Sequence, residues 1–219
     1  MRKIVIFTTI FVLFLIILIP ISLTFGIKLI PGGVQPSLGN TKSIYEQFTL
    51  SQSFISPKDN LAGIGVSIKN PNFANKKQVS VNIHDSEDKI IRSITLNGQN
   101  IADGKFVKIL FNPIYDSYNR KFTWSISSPT SNFEDALQIF LTTEKPAWSL
   151  DLKAGEKLTD ESLSYVTLHR PKDLTEVAVQ VLLGWGKKLA ADSAFFITYL
   201  LIISVILGFI LYLNFKKRV

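Results

Sequence analysis

The chain contains no cysteine and only two histidines, His84 and His169, in 219 residues. Without cysteine the protein has neither a disulfide framework nor a thiol nucleophile, and two imidazoles are too few for most zinc hydrolases. A serine triad would need one of these histidines as its base, and neither accompanies a G-x-S-x-G turn. We therefore expect both histidines to be structural or surface residues, and we expect the chain not to be an enzyme.

The acidic residues form no recognisable catalytic or metal-binding pattern. Glycoside hydrolysis needs two carboxylates that flank a sugar, but the candidate acids all lie in predicted turns, where charges are usually solvated. Asp85, Glu87 and Asp88 offer the oxygen ligands that calcium prefers, although the glycine-containing loop of a strong calcium motif is missing. A solvated turn explains these three residues better, and we expect no metal and no other cofactor.

The net charge of +7 would suit nucleic acid if it were concentrated in the folded part of the chain. Five of the 24 basic residues, however, lie in the tails 1–3 and 216–219. The rest of the chain carries 19 basic and 17 acidic residues, a net charge of +2, which is ordinary for a protein surface. We expect no nucleic-acid partner, and the basic tails instead suit contact with anionic lipid head groups.

Two long apolar runs, 4–27 and 194–215, lie near the ends of the chain. A hydrocarbon core of about 30 Å needs about 20 apolar residues at helical rise, so each run is long enough to be a transmembrane helix. A cleaved signal peptide is the alternative for the first run, because the basic tail 1–3 resembles a positive n-region. The run exceeds the usual length of an h-region and the segment 24–26 is a poor cleavage site, so we expect an uncleaved anchor.

Basic residues precede the first run, in the tail 1–3, and follow the second run, in the tail 216–219. By the positive-inside rule, both tails are expected in the cytoplasm and the segment between the runs outside it, either extracellular or periplasmic. The predicted location is therefore the plasma membrane, with two transmembrane α-helices that hold one exterior domain.

Turn residues and short strand-like runs alternate between the two predicted helices. Residues 28–44 concentrate proline and glycine, and we interpret them as a tether rather than as helix or strand. Residues 45–168 predict an all-β exterior domain, an antiparallel β-sandwich or jelly roll. Its strand-like runs are rich in β-branched and aromatic residues, and several alternate with a period of two. They cover residues 47–54, 62–68, 79–83, 90–96, 106–111, 122–126 and 137–142.

Residues 169–193 resemble an amphipathic juxtamembrane helix. The residues that recur at helical spacing are Leu174, Ala178, Val181, Trp185 and Leu189. Strand-like alternation within 177–181 and two glycines weaken this pattern. A helix lying in the membrane interface is one interpretation, and an element that packs on the sandwich or extends the second span is the other.

Two loops combine aromatic and polar residues in a way that is typical of a sugar-binding site. Sugar rings stack their apolar faces on aromatic side chains, while polar neighbours hydrogen-bond the hydroxyl groups. The candidate ligand-binding residues are three aromatic and three polar side chains: Tyr115, Tyr118, Trp148, Asn112, Asp116 and Asn119. The alternative is that the aromatic residues anchor these loops to the core of their own domain.

The strand-like part of the sequence also resembles a known class of domain. The resemblance lies in the stretch from QFTLSQSFISPKDNLAGIGVSIKNP through DGKFVKILFNPIYDSYNRKFTWSISSP to ALQIFL, about residues 45 to 142. This stretch is similar to the jelly-roll, carbohydrate-binding-module-like domains of bacterial envelope membrane proteins, including some polytopic glycosyltransferases. The resemblance implies a non-catalytic module near glycan assembly. Because the sequence shows no polytopic catalytic part, it further implies an accessory subunit or a sensor.

These observations lead us to expect a membrane-anchored, non-enzymatic envelope protein whose sandwich binds a glycan or a partner protein as an accessory to glycan assembly. The alternative is a structural or assembly subunit that pairs with a larger, polytopic membrane protein through its transmembrane helices. Ser204 and Gly208 form a small-x-x-x-small pair that would let another helix approach closely. The expected partners are membrane lipid, a glycan and such a membrane protein.

Overall fold

The computed structural model describes residues 28–194 together with residues 197, 198, 200, 201, 204 and 208. Residues Leu29–Arg170 form one compact unit, and the described residues from Pro171 onward belong to a second. The predicted helix 4–27 and both tails lie outside the described residues, as does most of the run 194–215. No helix in the described part of the chain is long and apolar enough to cross a membrane.

The first unit is built from β-strands, thirteen of which are found in the described residues. They are β1 (Ile30–Pro31), β2 (Thr41–Ile44), β3 (Thr49–Ile55), β4 (Leu61–Lys69), β5 (Gln78–His84), β6 (Ile90–Asn97), β7 (Lys105–Ile114), β8 (Lys121–Ser127), β9 (Leu137–Thr142), β10 (Ser149–Ala154), β11 (Lys157–Thr159), β12 (Ser162–Leu163) and β13 (Tyr165–His169). Short 3-10 helices follow β4 at Pro71–Phe73 and β6 at Gly98–Asn100.

The strands form two sheets in a sandwich-like arrangement. The seven-stranded sheet has the order β1-β13-β4-β9-β12, with β2 paired to β9 and β7 paired to β4. The six-stranded sheet has the order β11-β10-β3-β8-β5-β6. All of these described pairings are antiparallel. The prediction of a mostly β unit made of two antiparallel sheets is therefore confirmed.

The core lies between the two sheets, and the alternation of side chains along the strands explains how it forms. In β3, Leu50, Gln52 and Phe54 are buried, while the residues between them are only partly covered. In β8, Phe122 and Trp124 are fully buried in the same way. Burying one large apolar side chain is worth about 1.5–3 kcal/mol. A core of this kind stabilises the unit without disulfides.

Strand β4 is buried along almost its whole length because both of its faces are covered. One face points into the core, and side chains from β7 lie across the other. A Cβ atom at Gly65 would collide with the ring of Phe106, and one at Gly63 would come within 2.8 Å of the carbonyl oxygen of Ile109. Glycine at these two positions allows β7 to pack closely on β4.

The segment 28–44 is not an unstructured tether, which corrects the sequence-based expectation. Strand β1 pairs with β13, and β2 pairs along its whole length with β9. Ile30 and Ile44 are buried, and the Gly39 N–H donates to the carbonyl oxygen of Leu141 at 2.8 Å. Proline and glycine exclude long strands here, but short strands with a buried isoleucine each still pair with the sheet.

The second unit contains helix α1 (Leu174–Ala191). The Asp173 carboxylate accepts the N–H of Glu176 at 2.8 Å, and the Glu176 carboxylate accepts the N–H of Lys172 at 3.0 Å. These bonds satisfy N–H groups at the helix start, as capping residues do. The segment therefore forms a helix, as the helical spacing of its apolar residues predicts, and not a strand. Its position beside a membrane stays a prediction.

Candidate functional site

Trp148 packs on the core of the sandwich. Its indole meets the ring of Tyr165 edge-on, with ring centroids 5.0 Å apart, and it is half-buried. Its backbone carbonyl accepts the N–H of Ile55 at 2.8 Å. A Cβ atom at Gly33 would lie 3.0 Å from the indole nitrogen, so the N-terminal segment covers this ring. The alternative that this aromatic residue is a core anchor fits these contacts.

The loop between β7 and β8 is anchored by a serine rather than by its tyrosines. The Oγ of Ser117 accepts the N–H of Leu61 at 3.1 Å and donates to the carbonyl oxygen of Lys58 at 3.0 Å. The side chain of Ser117 is fully buried. The Tyr118 N–H also donates to the carboxylate of Asp59 at 2.9 Å.

The other five predicted ligand residues all face solvent: Asn112 lies in β7 rather than in a loop, and Tyr115, Asp116, Tyr118 and Asn119 lie in the loop that follows. Tyr115 and Tyr118 are each 65% exposed, so neither ring anchors the loop to the core. The three polar members, Asn112, Asp116 and Asn119, are exposed as well. Asp116 and Asn119 adopt left-handed backbone conformations, with φ of 50° and 59°, which these residue types tolerate. The structure thus packs Trp148 against the core, and it places the other five candidates on an exposed surface formed by β7 and the loop after it.

A groove on the outer face of the six-stranded sheet was not anticipated from the sequence. It has a volume of about 590 Å³. Its floor is formed by β3 and β8, and its walls by the turn after β5 and by β10 with β11. The lining residues are Thr49, Ser51, Ser53, His84, Asp85, Ser86, Asp88, Lys121, Thr123, Ser125, Asp151, Lys153 and Leu158.

The floor of the groove is a row of hydroxyl groups. Ser51 stands opposite Ser125, and Ser53 stands opposite Thr123, in the antiparallel pairing of β3 with β8. The Oγ of Ser53 lies 2.9 Å from the Oγ1 of Thr123. Since the residues between them fill the core, alternation places these four hydroxyls on the outer face of the sheet, where Ser125 is 8% exposed. Each hydroxyl is both a donor and an acceptor of hydrogen bonds.

Charged residues of both signs form the walls of the groove. On one side, the Asp85 carboxylate accepts the N–H groups of Glu87 and Lys89 at 3.0 Å each, so it stabilises its own turn. On the other side, Asp151 and Lys153 extend from β10. Within the described residues no group of three His, Cys, Asp or Glu side chains is placed to hold a metal ion.

The two histidines have different surroundings. His169 is fully buried, with Nε2 2.9 Å from the Oγ1 of Thr167 and Nδ1 3.0 Å from the carbonyl oxygen of Asp59. His84 lines the groove, where its Nε2 lies 3.3 Å from the Oγ of Ser125. The expectation of a structural role therefore fits His169, whereas His84 is part of the candidate site.

Two groups outside the groove have shifted pKa values. Burial raises the pKa of the Tyr165 hydroxyl, and the influence of the neighbouring Ser149, which acts in the opposite direction, is smaller. The pKa of Glu144 is lowered, chiefly because its carboxylate accepts the backbone N–H of Ser37 at 3.2 Å. Neither group lines the groove. Both shifts follow from packing and segment anchoring rather than from the candidate site.

The sequence predicts the outward hydroxyl groups of the groove but not the pairing of the strands that carry them. The alternation of polar and apolar residues in 49–55 and 121–127 predicts that hydroxyl groups face outward. That β3 and β8 are neighbours is a property of the sheet order, and no short-range pattern specifies it. The groove was missed because its floor joins strands that lie about seventy positions apart in the chain, as Ser51 and Ser125 do.

Comparisons with known proteins identify no family. No protein-family model matches the chain, and no curated protein matches it significantly. A solved structure of a family two carbohydrate esterase from Cellvibrio japonicus is similar at 9% identity with a TM-score of 0.31, over 66% of this chain and 33% of the esterase. The carbohydrate-binding module CBM36 in complex with calcium and xylotriose is similar at 10% identity with a TM-score of 0.27, over 65% of this chain and 99% of the module. The chain thus spans about a third of the esterase's length, and at these TM-scores neither similarity carries an argument about its function.

Proposed function

We propose that this protein binds a glycan in the groove on its six-stranded sheet. The observation that carries the proposal is the row of outward hydroxyl groups on the floor, flanked by carboxylates and ammonium groups. Sugar hydroxyls need such a mixture of donors and acceptors. An apolar ligand would leave these polar groups without partners, which costs binding free energy. The volume of about 590 Å³ also falls within the usual range of ligand sites, about 300–1,000 Å³.

The exposed tyrosine loop supports a second contact with the same ligand. It leaves β7 in one sheet and enters β8 in the other at Lys121, whose side chain lines the groove. None of the described residues that line the groove is a phenylalanine, tyrosine or tryptophan. Stacking on a sugar ring would therefore come from Tyr115 and Tyr118, with Asn112 and Asp116 beside them.

Titration calorimetry with the envelope polysaccharides of the organism that makes this protein tests this proposal. The full-length chain should be kept in a detergent without a sugar head group, because a glycosidic detergent would compete for the groove. A polar site with little stacking predicts a Kd in the micromolar to millimolar range. Saturable heat of binding is the expected result, and no binding by a folded protein to any of these polysaccharides would contradict the proposal.

We further propose that two membrane spans display this unit outside the plasma membrane as part of the cell envelope. The length and apolar character of 4–27 and 194–215 support the spans. In helix α1, Val179, Leu182 and Leu183 expose about half or more of their surface. Exposed apolar side chains on a helix suit the interface of a membrane.

Cysteine labelling tests this topology cleanly, because the chain has no cysteine of its own. A membrane-impermeant maleimide applied to intact spheroplasts should label Lys76→Cys, an exposed position of the sandwich. It should label Lys217→Cys, in the C-terminal tail, only after permeabilisation. Labelling of Lys217→Cys in sealed spheroplasts would contradict the proposed orientation.

A structural or assembly subunit is the second candidate function. The same exposed apolar residues of α1, Val179, Leu182 and Leu183, favour it, because a larger membrane protein would cover them as well as lipid would. This role predicts that the folded protein binds no polysaccharide and that its removal destabilises a membrane complex. The calorimetric titration therefore separates the two functions.

A further inference from the structure

Three side chains at the groove, Ser125, His84 and Asp88, are in contact through the imidazole ring. The Oγ of Ser125 lies 3.3 Å from Nε2 of His84. On the other side of the ring, Nδ1 of His84 lies 3.3 Å from the carboxylate of Asp88 and 3.2 Å from the carbonyl oxygen of the same residue. Distances of this length are common at catalytic hydrogen bonds before a substrate is bound.

These contacts fix the tautomer of the neutral imidazole. An ionised carboxylate and a backbone carbonyl can only accept hydrogen bonds, so Nδ1 of His84 carries the proton and donates it to Asp88. Nε2 then has a free lone pair, which faces the hydroxyl of Ser125. This is the form of the ring in which it can remove a proton from a serine.

The fold accounts for the position of each residue. His84 is the last residue of β5, and a register shift in the pairing with β6 precedes it. Ser125 lies on the neighbouring strand β8 and faces the same side of the sheet, two positions from the direct partner of His84, Thr123. In the turn that follows β5, Asp85 accepts the turn N–H groups. The carboxylate of Asp88, whose side chain is 90% exposed, contacts the imidazole at the edge of the groove.

We propose that Ser125 is a nucleophile that hydrolyses acyl esters, with His84 as its general base and Asp88 as a positioning residue. The Oγ of Ser125 attacks the carbonyl carbon, and its proton passes to Nε2 of His84. The ester C–O bond breaks, and the leaving alcohol takes that proton. Water then attacks the acyl-serine, gives one proton to His84 and releases the carboxylic acid, and Ser125 recovers its proton from His84.

The substrate class follows from the groove in which Ser125 lies. An O-acylated sugar would place its hydroxyls on Ser51 and Ser53 and its ester at the nucleophile. The backbone of β8 is paired with β3 on one side and β5 on the other, so donors to an oxyanion come from side chains such as Lys153, which pairs with Ser51, the partner of Ser125. Losing one good oxyanion donor typically slows catalysis by about 10²–10³-fold, so we expect slow turnover.

Covalent trapping tests this inference independently of glycan binding, because the probes carry no sugar. The full-length chain is treated with a fluorophosphonate, which bonds to a serine Oγ with loss of fluoride, and hydrolysis of p-nitrophenyl acetate is followed in parallel. We expect one adduct, located on Ser125 by mass spectrometry. Ser125→Ala should abolish the adduct, and Asp88→Asn should slow its formation at least tenfold, with recovery in Asp88→Glu.

The controls distinguish loss of the nucleophile from loss of folding. They also distinguish the proposed ester hydrolysis from the proposed glycan binding. Ser93→Ala, on exposed strand β6 and outside the groove, should react like the wild type. Thermal melts of each variant identify those that fold. The absence of an adduct on Ser125, or equal labelling in folded Asp88→Asn and His84→Asn variants, would overturn the inference. Glycan binding without labelling would leave the proposed binding function standing.

Discussion

The indole of Trp148 meets the ring of Tyr165 at an angle of 85°, with the ring centroids 5.0 Å apart. Edge-to-face pairs of this kind add about 0.5–1.5 kcal/mol to the burial of the two rings. Tyr165 in turn packs against Trp124 and Phe54 in the core. A residue chosen from the sequence as a sugar-stacking platform is therefore part of the packing between the two sheets.

Replacing Trp148 with alanine should lower stability and leave the groove intact. Since the indole is half-buried, we expect a loss of about 2 kcal/mol, below the roughly 3–5 kcal/mol typical of a fully buried tryptophan. Urea unfolding monitored by circular dichroism measures this loss. Unchanged stability with abolished glycan binding would instead place the ring in the binding site.

Ser117 should contribute more to stability than the exposed tyrosine beside it. Ser117→Ala leaves the buried N–H of Leu61 without its acceptor, which costs about 1–3 kcal/mol. Tyr118→Ala removes a solvent-exposed ring and should change the free energy of unfolding by less than about 0.5 kcal/mol. The two variants are compared by chemical denaturation. A larger loss in Tyr118→Ala than in Ser117→Ala would contradict this account of the loop.

Two glycines of β4 should differ in their tolerance of alanine. Gly63→Ala places a methyl group against the carbonyl oxygen of Ile109. This oxygen belongs to the backbone and can move only if strand β7 moves with it. Gly65→Ala meets the ring of Phe106, which is 40% exposed and has room to swing outward. We expect about 1–3 kcal/mol of destabilisation at Gly63 and less at Gly65, because overpacking destabilises most where the neighbouring atoms cannot shift. A lower denaturation midpoint for Gly65→Ala than for Gly63→Ala would contradict the packing described.

The class of the fold could be predicted because strand alternation and turn residues are local signals. The run 137–142 coincides with β9, and 122–126 lies within β8. The short strands β1 and β2 could not be predicted, because two to four residues next to proline and glycine carry no periodicity. Their presence depends on the sheet edges that they meet, which are formed by distant residues.

The groove could not be predicted from the sequence, for a physical reason. Aromatic residues are used both in cores and in sugar sites, so composition does not separate Trp148 from Tyr115. The groove instead consists of small hydroxyl side chains, which are unremarkable in sequence. Ser125 and His84 become a pair only through the register of β5 with β8.

The most direct test of the glycan-binding groove compares matched variants in the same calorimetric titration. Ser51→Ala combined with Ser53→Ala removes two floor hydroxyls, each worth about 0.5–1.5 kcal/mol as a hydrogen-bonding group, and should weaken binding roughly tenfold. Ser93→Ala removes a hydroxyl from the same sheet outside the groove and should bind like the wild type. Equal affinities of both variants for the polysaccharide, with both proteins folded, would contradict the groove as the binding site.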